Sequence, residues 1–292
     1  MSYIDRVVEA NRRDLSRFVP LQVAGERVGH VRRETLGMLA DWPEVFRVED
    51  RAVTLAAELD RPDAPMELRT IAVDGVMRAL HARGVLSGWR EERYPVAASR
   101  RGEPLMLLER AALPLLGVSG QGVHLNGFVR DGDALQMWVG RRANDKPTWP
   151  GLLDQLVAGG QPAGAGLREN LIKECDEEAG IPPEVAGRAT ATGAITYTYE
   201  TPGGLRPDVV YTFDLELPPD FVPVNRDGEV DAFFLWPVEQ VMERVRETRE
   251  FKFNCALVVI DFAIRHGLIS PEHPEYLALV AGLRAGGPEL AT

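Results

Sequence analysis

Apolar and polar residues recur with a helical period in three stretches of the first part of the chain. These stretches are residues 1–18, 32–42 and 66–84, and the last has His81 and Arg83 near its end and Gly84 after it, as a helix C-terminus does. Residues 18–31 form two short apolar pieces separated by Ala24-Gly25, which predicts a β-hairpin. The first part of the chain is therefore predicted to contain both helices and strands.

From Gly117 onward the period changes to that of strands. β-Branched and aromatic runs divided by Gly, Asp and Pro predict strands at residues 122–130, 134–142, 194–200 and 208–218. Helices are predicted at residues 167–180, 239–248 and 255–269, the last of which is apolar enough to be buried. The pattern predicts an α+β protein, with a smaller α+β domain over residues 1–112 and a mixed sheet covered by helices over residues 113–292.

Composition narrows the classes of function. The chain has 292 residues, of which 45% are hydrophobic, and its formal net charge is −11. This balance argues against a nucleic-acid binder, because no surplus of cations is present to displace counterions. No apolar run approaches the length of a membrane span, and charges interrupt the N-terminus where a signal peptide would be apolar. Cys175 and Cys255 are too few for a disulfide framework, so we expect a cytoplasmic protein.

The stretch with the most chemical information is residues 156–181, where a glycine-rich loop leads into a predicted helix. Glu174, Glu177 and Glu178 share one face of this helix, because positions i, i+3 and i+4 project together. A solvated acidic face is the usual meaning of such a run. Carboxylate oxygens also suit Mg²⁺ or Mn²⁺, and a divalent cation would relieve the repulsion among them.

The loop and helix together resemble the Nudix box, whose pattern is G-x5-E-x7-R-E-U-x-E-E-x-G-U, with U a bulky apolar residue. The corresponding positions in this chain are Gly159, Lys173, Glu174, Cys175, Glu177, Glu178, Gly180 and Ile181. One position departs outright, because Ala165 stands where the family has its first Glu. In the family that Glu pairs with the Arg that Lys173 replaces, so the resemblance implies that this loop is held to the helix in another way.

The similarity extends over nearly the whole chain. Residues 122–129, 137–160, 206–241 and 251–267 are similar to the branch related to the Nudix part of fungal thiamine pyrophosphokinase fusions and plant relatives. Residues 18–31, 68–80 and 88–96 are similar to the extra domain that precedes Nudix in that branch. The resemblance implies an α/β/α Nudix sandwich and hydrolysis of an organic diphosphate. It also implies thiamine diphosphate and its oxidised forms as substrates, with release of the monophosphate.

The resemblance further implies roles for individual groups. Glu174, Glu177 and Glu178 would bind Mg²⁺ or Mn²⁺, with Glu178 the most direct ligand and Glu174 a ligand or the acceptor of the proton from water. The backbone carbonyl of Ala158 would be another ligand. Many members add a carboxylate from a later loop, for which the candidates are Asp208, Glu229 and Asp231. Of these we choose Glu229 as the third catalytic residue, with Glu174 and Glu178.

Cations and aromatic residues near the box are candidates for contacting a small-molecule diphosphate. Arg141, Arg142 and Lys146 follow a predicted strand, although a charged strand end is an equally good interpretation. Trp149, Tyr197 and Tyr199 could stack on a heteroaromatic ring, although aromatic residues in strands are more often core residues. Two other functions stay open: a nucleotide-diphosphate hydrolase acting on ADP-ribose or coenzyme A, and a non-catalytic ligand sensor. The oligomeric state is also open.

Overall fold

The computed structural model describes residues 2–99, 102–132 and 134–286. Its helices are α1 Tyr3–Ala10, α2 Leu36–Ala40, α3 Met66–Ala82, α4 Leu113–Leu116, α5 Leu167–Ala179, α6 Pro183–Ala186, α7 Val238–Glu247, α8 Phe253–Arg265 and α9 Tyr276–Gly282. Its strands are β1 Phe18–Val23, β2 Glu26–Arg32, β3 Phe46–Val48, β4 Val53–Leu55, β5 Arg93–Val96, β6 Met106–Glu109, β7 Gln121–Asp131, β8 Ala134–Arg142, β9 Leu153–Gln155, β10 Val157–Gly160, β11 Thr190–Thr201, β12 Gly204–Glu216 and β13 Val230–Pro237. None of the helices in these residues has the length and apolar character needed to span a membrane.

The first part of the chain is built on two small sheets and α3. The larger sheet has the strand order β2-β1-β4-β3, and β5 pairs with β6 in the smaller one. The predicted hairpin is confirmed, because β1 and β2 pair antiparallel around Ala24 and Gly25, whose φ angles are 53° and 81°. The predicted helix over residues 66–84 is α3, and Gly84 follows it at φ 75°. Apolar side chains of α3 and both sheets form one core.

The second part contains a seven-stranded mixed sheet between two layers of helices. The strand order is β11-β12-β7-β8-β13, with β10 paired to β7 and β9 paired to β8. Only β12 and β7 run parallel among these pairs of described strands. Helix α5 packs on one face of the sheet through Leu171 and Cys175, and the apolar helix α8 packs on the other. The α+β class and the mixed sheet with helices on its faces are thus confirmed.

The first predicted helix is shorter than the sequence pattern indicates. Helix α1 ends at Ala10, where the side-chain amide of Asn11 donates to the carbonyl oxygen of Val7 at 3.0 Å, and Phe18 already begins β1. Tyr3 and Val7 of α1 pack in the core formed by α8 and α9. The apolar pattern continues through residue 18, but the Asn11 hydrogen bond ends the helix, and Phe18 belongs to the sheet instead. The division of the chain at residue 112 stays a prediction. Helix α1 precedes this position in the chain but packs against helices that follow it.

Candidate active site

The glycine-rich stretch lies where β10 ends and the chain turns into α5. A Cβ atom on Gly159 would lie 2.3 Å from Cδ of Glu174, so only glycine lets β10 pass this close to the helix. Gly180 ends α5 at φ 63°, a left-handed conformation that favours glycine. Gly159 therefore allows β10 and the acidic helix to lie close together, and Gly180 ends that helix.

Two amide side chains hold the loop between β10 and α5. Nε2 of Gln161 donates to the carbonyl oxygen of Ala165 at 2.6 Å, and Nδ2 of Asn170 donates to that of Gly160 at 2.7 Å. Both amide residues are buried. Lys173 instead forms an ion pair with Glu177, at 2.6 Å from Nζ to Oε2. The Gln161 hydrogen bond closes the loop on itself, and the Asn170 hydrogen bond joins α5 to the end of β10. They hold the loop in a chain where Ala165 and Lys173 cannot form an ion pair.

Glu178 is the buried carboxylate of the site. Its side chain projects from α5 to β10, where Oε2 accepts the backbone N–H of Ala158 at 2.7 Å. Burial raises the pKa of Glu178 to about 8, and the charges of Glu174, Asp154 and Glu229 add to the rise. The hydrogen bond from Ala158 opposes the rise without cancelling it. Glu178 is therefore unfavourable as an isolated anion and needs a compensating cation.

A loop after β12 completes a group of three carboxylates. Oxygen atoms of Glu178, Asp227 and Glu229 lie within 4.8 Å of one another. The predicted residue Glu229 is thus brought to Glu178, but Asp227 was not among the candidates. Oδ1 of Asp227 accepts the N–H of Glu229 at 2.8 Å in a turn that has Gly228 at φ 82°. The Asp-Gly pair of this turn is a signal that the sequence contains and that could have indicated Asp227.

The other predicted carboxylates occupy different surroundings. Glu174 is mostly buried against Gly159, and burial, followed by nearby acidic charges, raises its pKa despite Lys173. Glu177 is 42% exposed and pairs with Lys173, so the structure does not group it with Glu178. Asp208 accepts the hydroxyl of Tyr197 at 3.2 Å and pairs with Arg206 at 2.7 Å. Asp231 is exposed.

The backbone of Ala158 faces this carboxylate group. In a strand the N–H and C=O of one residue point to the same side. Since the N–H of Ala158 is directed to Glu178, its carbonyl oxygen is directed to the same side of β10. This orientation fits the predicted role of the Ala158 carbonyl as a metal ligand, which stays a prediction.

The three predicted cations are used in three different ways. Lys146 forms an ion pair with Glu229, and its hydrogen bond and charge hold the pKa of Glu229 below the usual value although burial would raise it. Arg142 and Arg141 are adjacent on β8 and so point to opposite faces of the sheet. Arg142 lines the cavity beside Glu178, whereas the guanidinium of Arg141 lies 5.8 Å from the ring centre of Phe234. The structure does not bring Arg141 to the carboxylates.

The guanidinium of Arg142 already donates hydrogen bonds to three partners. Nη1 donates to Asp154 at 2.9 Å, while Nε and Nη2 donate to the carbonyl oxygens of Trp149 and Thr148 at 3.1 and 3.0 Å. Asp154 also accepts Sγ of Cys255 at 2.7 Å. Arg142 therefore fixes the loop around Trp149 to β9, and its predicted contact with substrate stays a prediction.

The predicted aromatic residues meet at a residue that the sequence reasoning missed. Ring centres of Trp149, Tyr197 and Tyr199 lie 5.4, 5.2 and 4.8 Å from that of Phe253, the first residue of α8. Trp149, Tyr199 and Phe253 line a cavity of about 190 Å³ that Leu152 and residues of α1 also border. Tyr197 is buried beneath it. No pattern near residue 253 indicates this grouping, because it forms only when α8 packs on the sheet.

A divalent cation fits the carboxylate group. Oxygen-only ligands at this separation suit Mg²⁺ or Mn²⁺. The raised pKa of Glu178 reflects its burial first and the neighbouring acidic charges second, and a bound cation would oppose both. Glu178, Asp227 and Glu229 would hold the ion, with Glu174 beside them. A second group, His124, Asp154 and Cys255, is also within 4.8 Å, but Arg142 and Lys252 already neutralise Asp154.

Comparison with known sequences decides the family. The model of the NUDIX domain matches residues 121–255, and that of a domain of unknown function, DUF4743, matches residues 2–120. The chain is 44% identical over 289 residues to Nudix hydrolase 24, chloroplastic, of Arabidopsis thaliana. This match covers 97% of this chain and 78% of the relative. The chain belongs to the Nudix hydrolase family.

A second plant relative matches this Nudix hydrolase over a similar length. Nudix hydrolase 20, chloroplastic, of Arabidopsis thaliana is 42% identical over 294 residues, covering 97% of this chain and 77% of the relative. Among solved structures, DR0079 from Deinococcus radiodurans is 20% identical with a TM-score of 0.43, covering 58% of this chain and 98% of that one. Nudix hydrolases generally use a divalent metal, which the carboxylate group suits. A cytoplasmic location and the lack of a nucleic-acid partner stay predictions.

The raised pKa of Glu178 makes the stability of the metal-free Nudix hydrolase depend on pH. Its unfolded pKa is near 4.5 and its folded pKa about 8. The carboxyl group binds its proton more tightly in the folded state, so its contribution is full below the unfolded pKa and lost as pH rises through the folded one. We expect the melting temperature in chelator to fall between about pH 5 and about pH 8.5, and Mg²⁺ to raise it most at the higher pH.

The control for this prediction is Glu178→Gln, which cannot titrate. Its melting temperature in chelator should depend less on pH than that of the wild type, and Mg²⁺ should shift it less. An equal pH slope in the two proteins would assign the titration to another group.

Proposed function

We propose that this Nudix hydrolase cleaves an organic diphosphate with Mg²⁺ or Mn²⁺, and that thiamine diphosphate or its oxidised forms are the substrates. The observation that carries the proposal is the buried Glu178 beside Asp227 and Glu229. Burial of an ionised carboxylate is costly unless a cation compensates it. A ligand sensor would be free to lose such a group, so its retention favours the enzyme over the non-catalytic alternative.

The proposed reaction is hydrolysis between the two phosphates. Water adds to the terminal phosphorus, the bond from that phosphorus to the bridging oxygen breaks, and a monophosphate, inorganic phosphate and one proton are released. When bound, the metal ion neutralises charge on the phosphate oxygens and lowers the pKa of water. Glu174, whose pKa is raised mainly by burial, is a suitable acceptor of the proton from water, since a base works best with a pKa near the working pH.

The aromatic group around Phe253 supports a substrate with a planar heterocycle. Trp149 and Tyr199 present ring surface to the cavity that they line. A stacked ring contributes about 0.5–1.5 kcal/mol beyond the area that it buries. Arg142 connects this loop to Asp154 of β9, and both residues border the small cavity that Glu178 and Glu229 also line. The same cavity would accept an adenine ring, so ADP-ribose and coenzyme A are the competing substrates.

A competition assay tests the substrate. Thiamine diphosphate, its oxo form, ADP-ribose and coenzyme A are mixed with the protein and Mg²⁺ or Mn²⁺, and products are identified by mass. We expect the thiamine compounds to have the highest kcat/KM, with the oxo form used at least as well as the parent. An advantage of about tenfold for ADP-ribose or coenzyme A, or about 1.4 kcal/mol in transition-state binding, would exclude the thiamine assignment. Turnover of none of them would favour the sensor.

A further inference from the structure

The chain before the box forms one wall beside the box loop. The carbonyl oxygen of Arg93 on β5 accepts the N–H of Ala163 at 2.8 Å. The hydroxyl of Tyr94 lies 1.8 Å from the position that a Cβ atom on Gly160 would take. Tyr94 is buried, and only glycine at position 160 leaves room for its hydroxyl. The first part of the chain thus contacts the residue next to Gly159.

The turn that leads into β5 is held firmly. The carboxylate of Glu109, which is 2% exposed, accepts the N–H groups of Arg90 and Glu92, each at 3.0 Å. Between them Glu91 adopts φ 58°, and its carboxylate receives two hydrogen bonds from Arg78 at 2.7 and 2.6 Å. A non-glycine residue keeps this conformation only when its surroundings determine it. The backbone of Arg90 therefore has a defined position at the edge of the site.

Arg90 and Arg110 are the cations of this wall. A Cβ atom on Gly160 would lie 3.7 Å from Oε1 of Glu92, the partner of Arg110, and one on Gly88 would lie 3.8 Å from Cγ of Pro147, next to Lys146 in the chain. Arg110 pairs with Glu92 at 3.0 Å, yet its side chain is 38% exposed. Arg90 is exposed, and its guanidinium has no hydrogen bond or ion pair with the parts of the chain that the structure describes. Both charges act on Glu229 and lower its pKa, after Lys146. They are cations beside an acidic group that an anionic substrate must approach.

We propose that Arg90 and Arg110 bind the phosphate oxygens of the substrate diphosphate, so that residues before the box complete the active site. The inference rests on the proposed function in that the substrate carries a diphosphate. Lys146 is already paired with Glu229, and Arg142 is bound on three sides. The planar fork of a guanidinium donates two parallel hydrogen bonds to a phosphate, which fits Arg at both positions.

The test separates binding from chemistry in the full chain. We expect Arg90→Gln to raise KM for the best substrate of the panel by about tenfold, the scale of one charged hydrogen bond, while kcat changes little. Arg110→Gln should act in the same direction, and Arg90→Lys should recover part of the loss. Calorimetry with inorganic pyrophosphate and Mg²⁺ should show about tenfold weaker binding to Arg90→Gln, with an unchanged melting temperature.

The matched control is Arg47→Gln, which removes an exposed arginine of β3 that pairs with Glu49. It should keep the KM and the pyrophosphate affinity of the wild type. Wild-type KM and pyrophosphate affinity in both Arg90→Gln and Arg110→Gln would overturn this inference and leave the proposed function standing. If the wild type does not hydrolyse thiamine diphosphate while pyrophosphate binding still depends on Arg90, the thiamine assignment fails and this inference stands.

Discussion

Replacing Glu178 with Gln should lower metal-dependent turnover by about two orders of magnitude or more, the scale of the several kcal/mol that metal charge stabilisation supplies. Glu178 is the buried member of the carboxylate group. Burial raises its pKa to about 8, so its ionised form is unfavourable unless a cation lies beside it. Gln keeps the size of the side chain and removes the charge. The measurement is kcat against Mg²⁺ concentration with the best diphosphate of the panel.

A measurement of thermal stability without metal distinguishes a loss of metal binding from a loss of fold in this variant. Without metal, Glu178→Gln should be as stable as the wild type or more stable above about pH 8, because no carboxylate has to be buried as an anion. The control is Glu184→Gln on α6, an exposed Glu of the next helix. It should retain wild-type kcat. Normal turnover in Glu178→Gln would show that the metal is held elsewhere.

Asp227→Asn should lower turnover by about tenfold to a hundredfold, because it removes a second charge from the same group. The turn should survive, since Asn keeps the oxygen that accepts the N–H of Glu229 at 2.8 Å. The measurement is kcat together with the Mg²⁺ concentration at half-maximal activity, which should rise. This prediction concerns a residue that the sequence pattern did not single out.

The strand that follows this loop, β13, offers a matched control for Asp227. Asp231 is an exposed carboxylate four positions later that accepts Nδ2 of Asn144 at 2.8 Å. Asp231→Asn removes an equal charge from the same segment and should change turnover little. Equal losses in the two variants would mean that the overall charge of this segment matters, and that Asp227 has no specific role at the metal.

Local features of this chain could be predicted from its sequence because near neighbours determine them. The helical period and Gly180 define α5, and β-branched runs define the long strands of the sheet. Glu174 and Glu178 were found because three or four residues of spacing place carboxylates near each other on one helix. The family resemblance added their chemical role and the choice of Glu229, which the structure brings to Glu178.

Contacts between distant segments were decided only by tertiary structure. Asp227 lies near Glu178, and three aromatic rings contact Phe253. Both contacts form because loops and α8 pack on a sheet whose strand order differs from the order of the strands along the chain. Arg93 of β5 contacts Ala163 of the box loop across about 70 residues of chain, roughly the size of a small domain. Sequence periods report which face of an element is buried, whereas the partner of that face depends on packing of the whole chain.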